Sequence, residues 1–128
     1  MIKGIGVDIV EIGRIEKMIS AYGGQFLRKV FTKVEIEYCG KLAKPSIHFA
    51  GRWAVKEAFY KALPRECQKV SSWKSIEVPA EGEKVPMISV CDPALAKAMR
   101  KNGVRKSHVT ISHEKTMCVA MVILEGGR

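Results

Sequence analysis

Two prolines bracket the segment that most constrains this chain. Pro45-Ser46 opens it, the run FAGRWAVKEAFYKAL follows with helical periodicity over 47–63, and Pro64 ends it. With 128 residues there is room for one such helix in a single domain spanning 1–128. Ahead of it, Ile2, Ile5, Val7 and Ile9 predict a short strand interrupted by Gly4 and Gly6. Ile12, Ile15, Met18, Ile19 and Tyr22 then recur at helical spacing until Gly23-Gly24. Thr32-Lys33-Val34-Glu35 has the form of a capping box, opening a helix to about Ala43. The second half reads mostly as strands: 73–78 and 87–90 flank a turn region at 80–86, and 108–112 pairs with 117–124 around His113, Glu114, Lys115 and Thr116. Between them, Asp92-Pro93 caps a helix to about Asn102, with Gly103 suited to its C-terminal end. Strand, helices, then strands and one helix give an α+β fold, an antiparallel sheet packed against the long helix.

The longest unbroken apolar run, 117–124, has eight residues, whereas a bilayer span needs about 20. It shows no alternation, which predicts a strand covered on both faces. A charge interrupts the N-terminal stretch before a signal-peptide core can build, so the expectation is a cytoplasmic protein with no membrane partner. Lys and Arg total 22 against 13 Asp and Glu, a net charge of +9 spread over both halves. That balance suits an anionic partner (nucleic acid, a polyphosphate cofactor or an acidic protein) and equally suits solubility alone. A small basic nucleic-acid-binding module would fit the size and charge. The aromatics are few and scattered, however, and no helix-turn-helix, RNP or KH signature occurs, so no nucleic-acid partner is expected. The four cysteines lie too far apart to form a paired zinc-ligand pattern.

Three groups of residues could carry chemistry. On the long helix, Glu57 lies off the stripe formed by Gly51, Val55, Ala58, Phe59 and Ala62. Ala50 and Ala54 beside it leave space for a larger group, and Lys61 at i+4 could simply form a surface pair with it. Arg52 and Lys56 form a second, cationic strip that reads as a solvated face. The second carboxylate, Asp8, ends the glycine-containing strand; it reads either as a helix N-cap in Asp8-Ile9-Val10-Glu11 or as a metal ligand at a strand tip. Third, Ser112-His113 lies at the hairpin tip. Adjacent strand residues point to opposite faces, so this is no nucleophile–base pair and a serine hydrolase is excluded. His113 remains open as a phosphate or substrate contact.

In combination these motifs are far more specific. GIGVDIVEIGRI, then GRWAVKEAFYKAL, WKSIEV and VTISH occur in that order over nearly the whole chain. The sequence resembles the 4′-phosphopantetheinyl transferases of the short bacterial type, which implies that family's fold. The resemblance implies a magnesium-dependent transfer of 4′-phosphopantetheine from coenzyme A to a serine of apo acyl-carrier protein, releasing adenosine 3′,5′-bisphosphate. It implies Asp8 and Glu57 as magnesium ligands, Glu57 and Lys61 as catalytic, Lys61 at the phosphates and His113 near coenzyme A. Arg52, from the cationic strip, is a further expected coenzyme A contact. Arg14 on the first helix is expected to receive the acidic carrier protein, and a homotrimer with sites between subunits is implied. Two departures stand out: Pro64-Arg65-Glu66-Cys67 replaces a glycine-rich turn, and Glu83-Lys84-Val85-Pro86 replaces a G-K-P turn.

Overall fold

β1 (Ile2–Glu11), β4 (Val104–His113) and β5 (Met117–Gly126) form an antiparallel sheet in the order β1-β5-β4. The computed structural model describes residues 1–79 and 87–127. The expected turn at 80–86, with Glu83, Lys84, Val85 and Pro86, lies outside the described residues. Helices α1 (Ile12–Tyr22), α2 (Gly24–Val30) and α3 (Lys33–Gly40) precede the long α4 (Pro45–Ala62), and α5 (Arg65–Gln68) follows it. A 3-10 turn at Trp73–Ser75 leads into β2 (Ile76–Glu77), which pairs with β3 (Ser89–Val90); α6 (Pro93–Lys101) then leads to β4. The fold is α+β, and α4 packs on β1 and β5 as expected.

Glycine makes that packing possible. A Cβ on Gly4 would fall on the carbonyl oxygen of Ala62, and one on Gly6 on that of Ala58. β1 can therefore lie against the α4 backbone only where side chains are missing from the strand and small on the helix. Ala50, Ala54, Ala58 and Ala62 are all buried, so the alanines beside Glu57 seat α4 in the protein interior instead of leaving open space.

Several local expectations hold. Thr32 and Glu35 form the full capping box, Asp92 accepts from the Ala94 amide, and Gly103 takes the left-handed conformation after α6 at φ 79°. Others change. The chain re-enters a helix, α2, directly after Gly23, whose φ of 53° turns it. The segment 73–78 begins as a 3-10 turn and has only two strand residues. The departure after Leu63 forms the short helix α5.

The 117–124 run is not covered on both faces in the single chain. Cys118, Ala120, Val122 and Leu124 are buried, while Met121 on the other face is exposed. Ile5, Val7 and Ile9 lie opposite Ile123, Met121 and Val119 and are between 51% and 62% exposed. Both faces are apolar, which explains the missing alternation, but only one is packed on α4. Among the described residues no helix is long and apolar enough to cross a membrane.

Candidate functional site

Asp8 lies within β1, three residues before its end, and not at the strand tip. Nor does it cap α1. The residue in the cap position is Glu11, which makes no side-chain cap bond, so the N-cap reading is excluded. In register Asp8 faces Ala120 and shares the α4 side of the sheet with Gly4, Gly6 and Val10. Its carboxylate is reached from α4: Lys61 Nζ donates to Asp8 Oδ1 at 3.1 Å and to the Val7 carbonyl at 3.3 Å. Lys61 is thus paired to β1, and the expected surface pair with Glu57 gives way to a contact across the seam between helix and strand. The pair is open to water, with Lys61 51% and Asp8 15% exposed.

Glu57 joins this seam electrostatically. Partial burial holds its carboxyl above the usual carboxylate range and the neighbouring Asp8 charge adds to the rise; Lys61 and Arg14 oppose it. Two carboxylates therefore sit close enough to repel, with two cations around them. Both offer only oxygen donors. Magnesium takes one or two carboxylates and completes its shell with substrate phosphate and water, so Asp8 and Glu57 fit that ion. Among the described residues no three His, Cys, Asp or Glu side chains come together, which leaves this pair to share any ion with its ligand.

Arg14 stands on the exposed side of α1 with its guanidinium 5.9 Å from the Trp53 ring centre, inside the field of Glu57. His113 is exposed at the end of β4, paired with Cys118 and two strands from Val10 of β1. At about 4.8 Å per strand that is roughly 10 Å from β1, so one chain does not bring His113 to the acidic pair. Of the other two histidines, His108 bonds the Glu125 carboxylate at 2.9 Å and His48 lies in α4.

The cationic strip is the largest correction. Arg52 and Lys56 are buried, 1% and 4% exposed, and form no solvated face. Arg52 donates to the carbonyls of Val78, Pro79 and His48 and lies over the Tyr38 ring. Its guanidinium is committed to the interior, and the expected coenzyme A contact is withdrawn on that ground. Lys56 meets Glu35, itself fully buried, at 3.0 Å. Sequence reasoning missed Glu35 as anything beyond a cap residue. The capping box fixes its backbone, but its second oxygen accepts from Val78, 43 positions away, and no local pattern carries that signal.

A cavity of about 320 Å³ opens beside Glu57, lined by Phe59, Tyr60, Ser71, Ser72 and Trp73. A second groove, about 390 Å³, runs between α1 and α2 over Trp53, with Met18, Tyr22, Phe26 and Lys29 at its walls.

The model of a family described as the 4′-phosphopantetheinyl transferase superfamily matches residues 4–115. The chain is 40% identical over 126 residues to a holo-[acyl-carrier-protein] synthase of Syntrophus aciditrophicus, covering 98% of both chains. It is 42% identical over 124 residues to one of Thermodesulfovibrio yellowstonii, covering 97% of this chain and 99% of the relative. Among solved structures, the holo-[acyl-carrier-protein] synthase of Neisseria meningitidis superposes with a TM-score of 0.84 at 30% identity, over 98% of this chain and 99% of that one. The enzyme from Bacillus anthracis, in complex with CoA (3′,5′-ADP), superposes with a TM-score of 0.79 at 32% identity over 99% of each chain.

Proposed function

This chain belongs to the 4′-phosphopantetheinyl transferase superfamily and is a transferase of the holo-[acyl-carrier-protein] synthase kind, and we propose that it works by a magnesium-dependent route through Asp8, Glu57 and Lys61. The observation that carries this reading is the meeting of one acid from β1, one from α4 and the Lys61 ammonium at a single seam. Coenzyme A and an acidic apo acyl-carrier protein are its two substrates.

In this reading the carrier serine oxygen attacks the pyrophosphate phosphorus on the pantetheine side. The new O–P bond forms as the bridging P–O bond breaks, and adenosine 3′,5′-bisphosphate leaves with that electron pair. Magnesium held by Asp8 and Glu57 would supply Lewis-acid charge and a template at the phosphates. Lys61, half exposed on its stem, exchanges Asp8 for phosphate oxygen and adds positive charge where negative charge develops. Glu57 takes the serine proton, directly or through water. Arg14 and the groove between α1 and α2 receive the carrier protein, an arginine fork for its carboxylates beside an apolar trough.

The uncovered face of the sheet supports a homotrimer. Ile5, Val7, Ile9 and Met121 make a contiguous apolar surface that a further copy of the chain would cover. A site between subunits also gives His113 a role, reaching coenzyme A held by a neighbour's Asp8 and Glu57.

The test is mass spectrometry of apo carrier protein incubated with coenzyme A, the protein and magnesium or a chelator. A gain of one phosphopantetheine that needs magnesium supports the reading. Transfer that persists under the chelator removes the metal role. No gain, with a salt-sensitive shift of DNA or RNA, would replace the reading with a nucleic-acid module.

A further inference from the structure

The proposed mechanism leaves Glu35 and Lys56 without a role, although both are buried and fully bonded. Lys56 has three N–H donors and meets three acceptors: the Trp73 carbonyl at 2.7 Å, the Ile76 carbonyl at 2.8 Å and Glu35 Oε1 at 3.0 Å. Glu35 in turn accepts from the Thr32 amide at 2.8 Å and, through Oε2, from the Val78 amide at 2.9 Å. Among the described residues no buried side-chain nitrogen or oxygen lacks a partner. Three of these five bonds converge on one stretch, 73–78, which has only a 3-10 turn and two strand residues of its own. The short pairing of β2 with β3 and the Ser75 bond to Asp92 hold its outer side, and the side-chain bonds from α3 and α4 hold it to the helices.

The stretch matters because of where it lies. Ser71, Ser72, Trp73 and Ile76 form one wall of the 320 Å³ cavity, and Glu57, Phe59 and Tyr60 of α4 form the other. Lys56 and Glu57 are neighbours on the helix. One ties the wall to α4, and the next faces Asp8. Apart from Glu57 at its edge and Lys56, whose ammonium is already bonded to Glu35 and two carbonyls, the cavity is walled by aromatic and aliphatic groups with three hydroxyls, a lining that suits an uncharged chain bearing amides better than a phosphate.

We propose that the buried Glu35–Lys56 pair is a positioning device for coenzyme A: it fixes the 71–76 wall against α4 and thereby sets where the uncharged arm of the coenzyme lies beside Glu57. The pair touches no reacting atom. This rests on the reading of Asp8, Glu57 and Lys61 as the pyrophosphate end of the site. The arm then runs from that end into the cavity, and the adenosine half lies elsewhere.

The arm gives the test its discrimination, because adenosine 3′,5′-bisphosphate lacks it. In the double variant Glu35→Gln/Lys56→Met both charges go together, which often leaves stability little changed. Dissociation constants for coenzyme A and for adenosine 3′,5′-bisphosphate are measured by calorimetry with magnesium, alongside the urea midpoint. The expected result is an affinity for coenzyme A about tenfold weaker, as when a well-placed contact worth about 1.4 kcal/mol is lost, with the bisphosphate changed less than twofold. Equal weakening of both ligands, or no change in either, overturns the proposal and leaves the pair structural only. Should the double variant not fold, Lys56→Arg keeps the charge beside Glu35 while displacing the two carbonyl bonds, and is judged by the same split. Failure of the wild-type protein to bind either ligand would instead remove the transferase reading on which the proposal rests.

Discussion

α4 carries two sets of charges within two turns of each other, and they end in opposite conditions. Arg52 and Lys56 are sealed inside, with acceptors at bonding distance from Lys56 equal in number to its donors. Glu57 and Lys61 stand at the seam with β1, partly open to water, with Asp8 adding a second negative charge to the first. The helix is the same, and each set holds a lysine. What differs is that the buried cations are fully bonded out of reach of water, while at the seam two carboxylates repel each other and water reaches the Lys61–Asp8 pair. A matched set is spent on holding the fold, because any ligand would have to break bonds already made. An unbalanced, solvated set keeps free energy in reserve for a ligand that brings the missing charge.

The largest effect should come from breaking the matched set on one side only. Glu35→Ala leaves the Lys56 ammonium buried without its anion and should cost about 3–5 kcal/mol of stability, read from urea denaturation. The same truncation at the seam should do the reverse. Asp8→Ala and Glu57→Ala should keep the unfolding free energy from urea denaturation within about 0.5 kcal/mol of wild type. Turnover of apo carrier protein should fall about a hundredfold or more. A stable Glu35→Ala, or an Asp8→Ala that is strongly destabilised yet keeps its turnover, would erase the distinction between the two sets. Next in size is Arg14→Glu, outside both. It should weaken apo carrier-protein binding about tenfold at low salt, with the difference fading as the Debye length shrinks below about 8 Å. Coenzyme A affinity should stay unchanged in that variant; loss of coenzyme A binding alone would move Arg14 from the carrier surface to the phosphates.

Much of the fold was legible because its signals are local. The capping box at Thr32, the proline bounds of α4 and the Asp92 cap are each written within four residues, and each appears where expected. Asp8 and Glu57 were legible as a pair through the order of motifs. The fate of Arg52 and Lys56 was not. A helical wheel assigns faces by angle alone, and a cationic strip faces water unless something distant supplies acceptors. Here those acceptors are backbone carbonyls at 73, 76, 78 and 79, whose approach depends on tertiary packing. The outer face of the sheet misled for a related reason: an apolar residue records that a surface is to be covered, not whether its own chain covers it.

The smallest effect, and the finest test of the unbalanced set, is the pH dependence of Glu57 in chelated, metal-free protein. Burial first and the Asp8 charge second hold its carboxyl above the usual range, so the folded state binds that proton more tightly than the unfolded chain does. The stability this proton contributes is present below the unfolded value, near 4.3 for a glutamate, and is lost as pH rises through the higher folded value. Wild-type protein at pH 7 therefore carries a cost that Glu57→Gln does not. The variant should melt slightly higher at pH 7, by a few degrees at most, and the gap should close as pH falls towards 4. Magnesium should reverse the order, since an ion held by Asp8 and Glu57 stabilises only the protein that binds it. A gap that ignores both pH and magnesium would mean that Glu57 belongs with the matched charges, and that the seam is not where the ligand's charge is awaited.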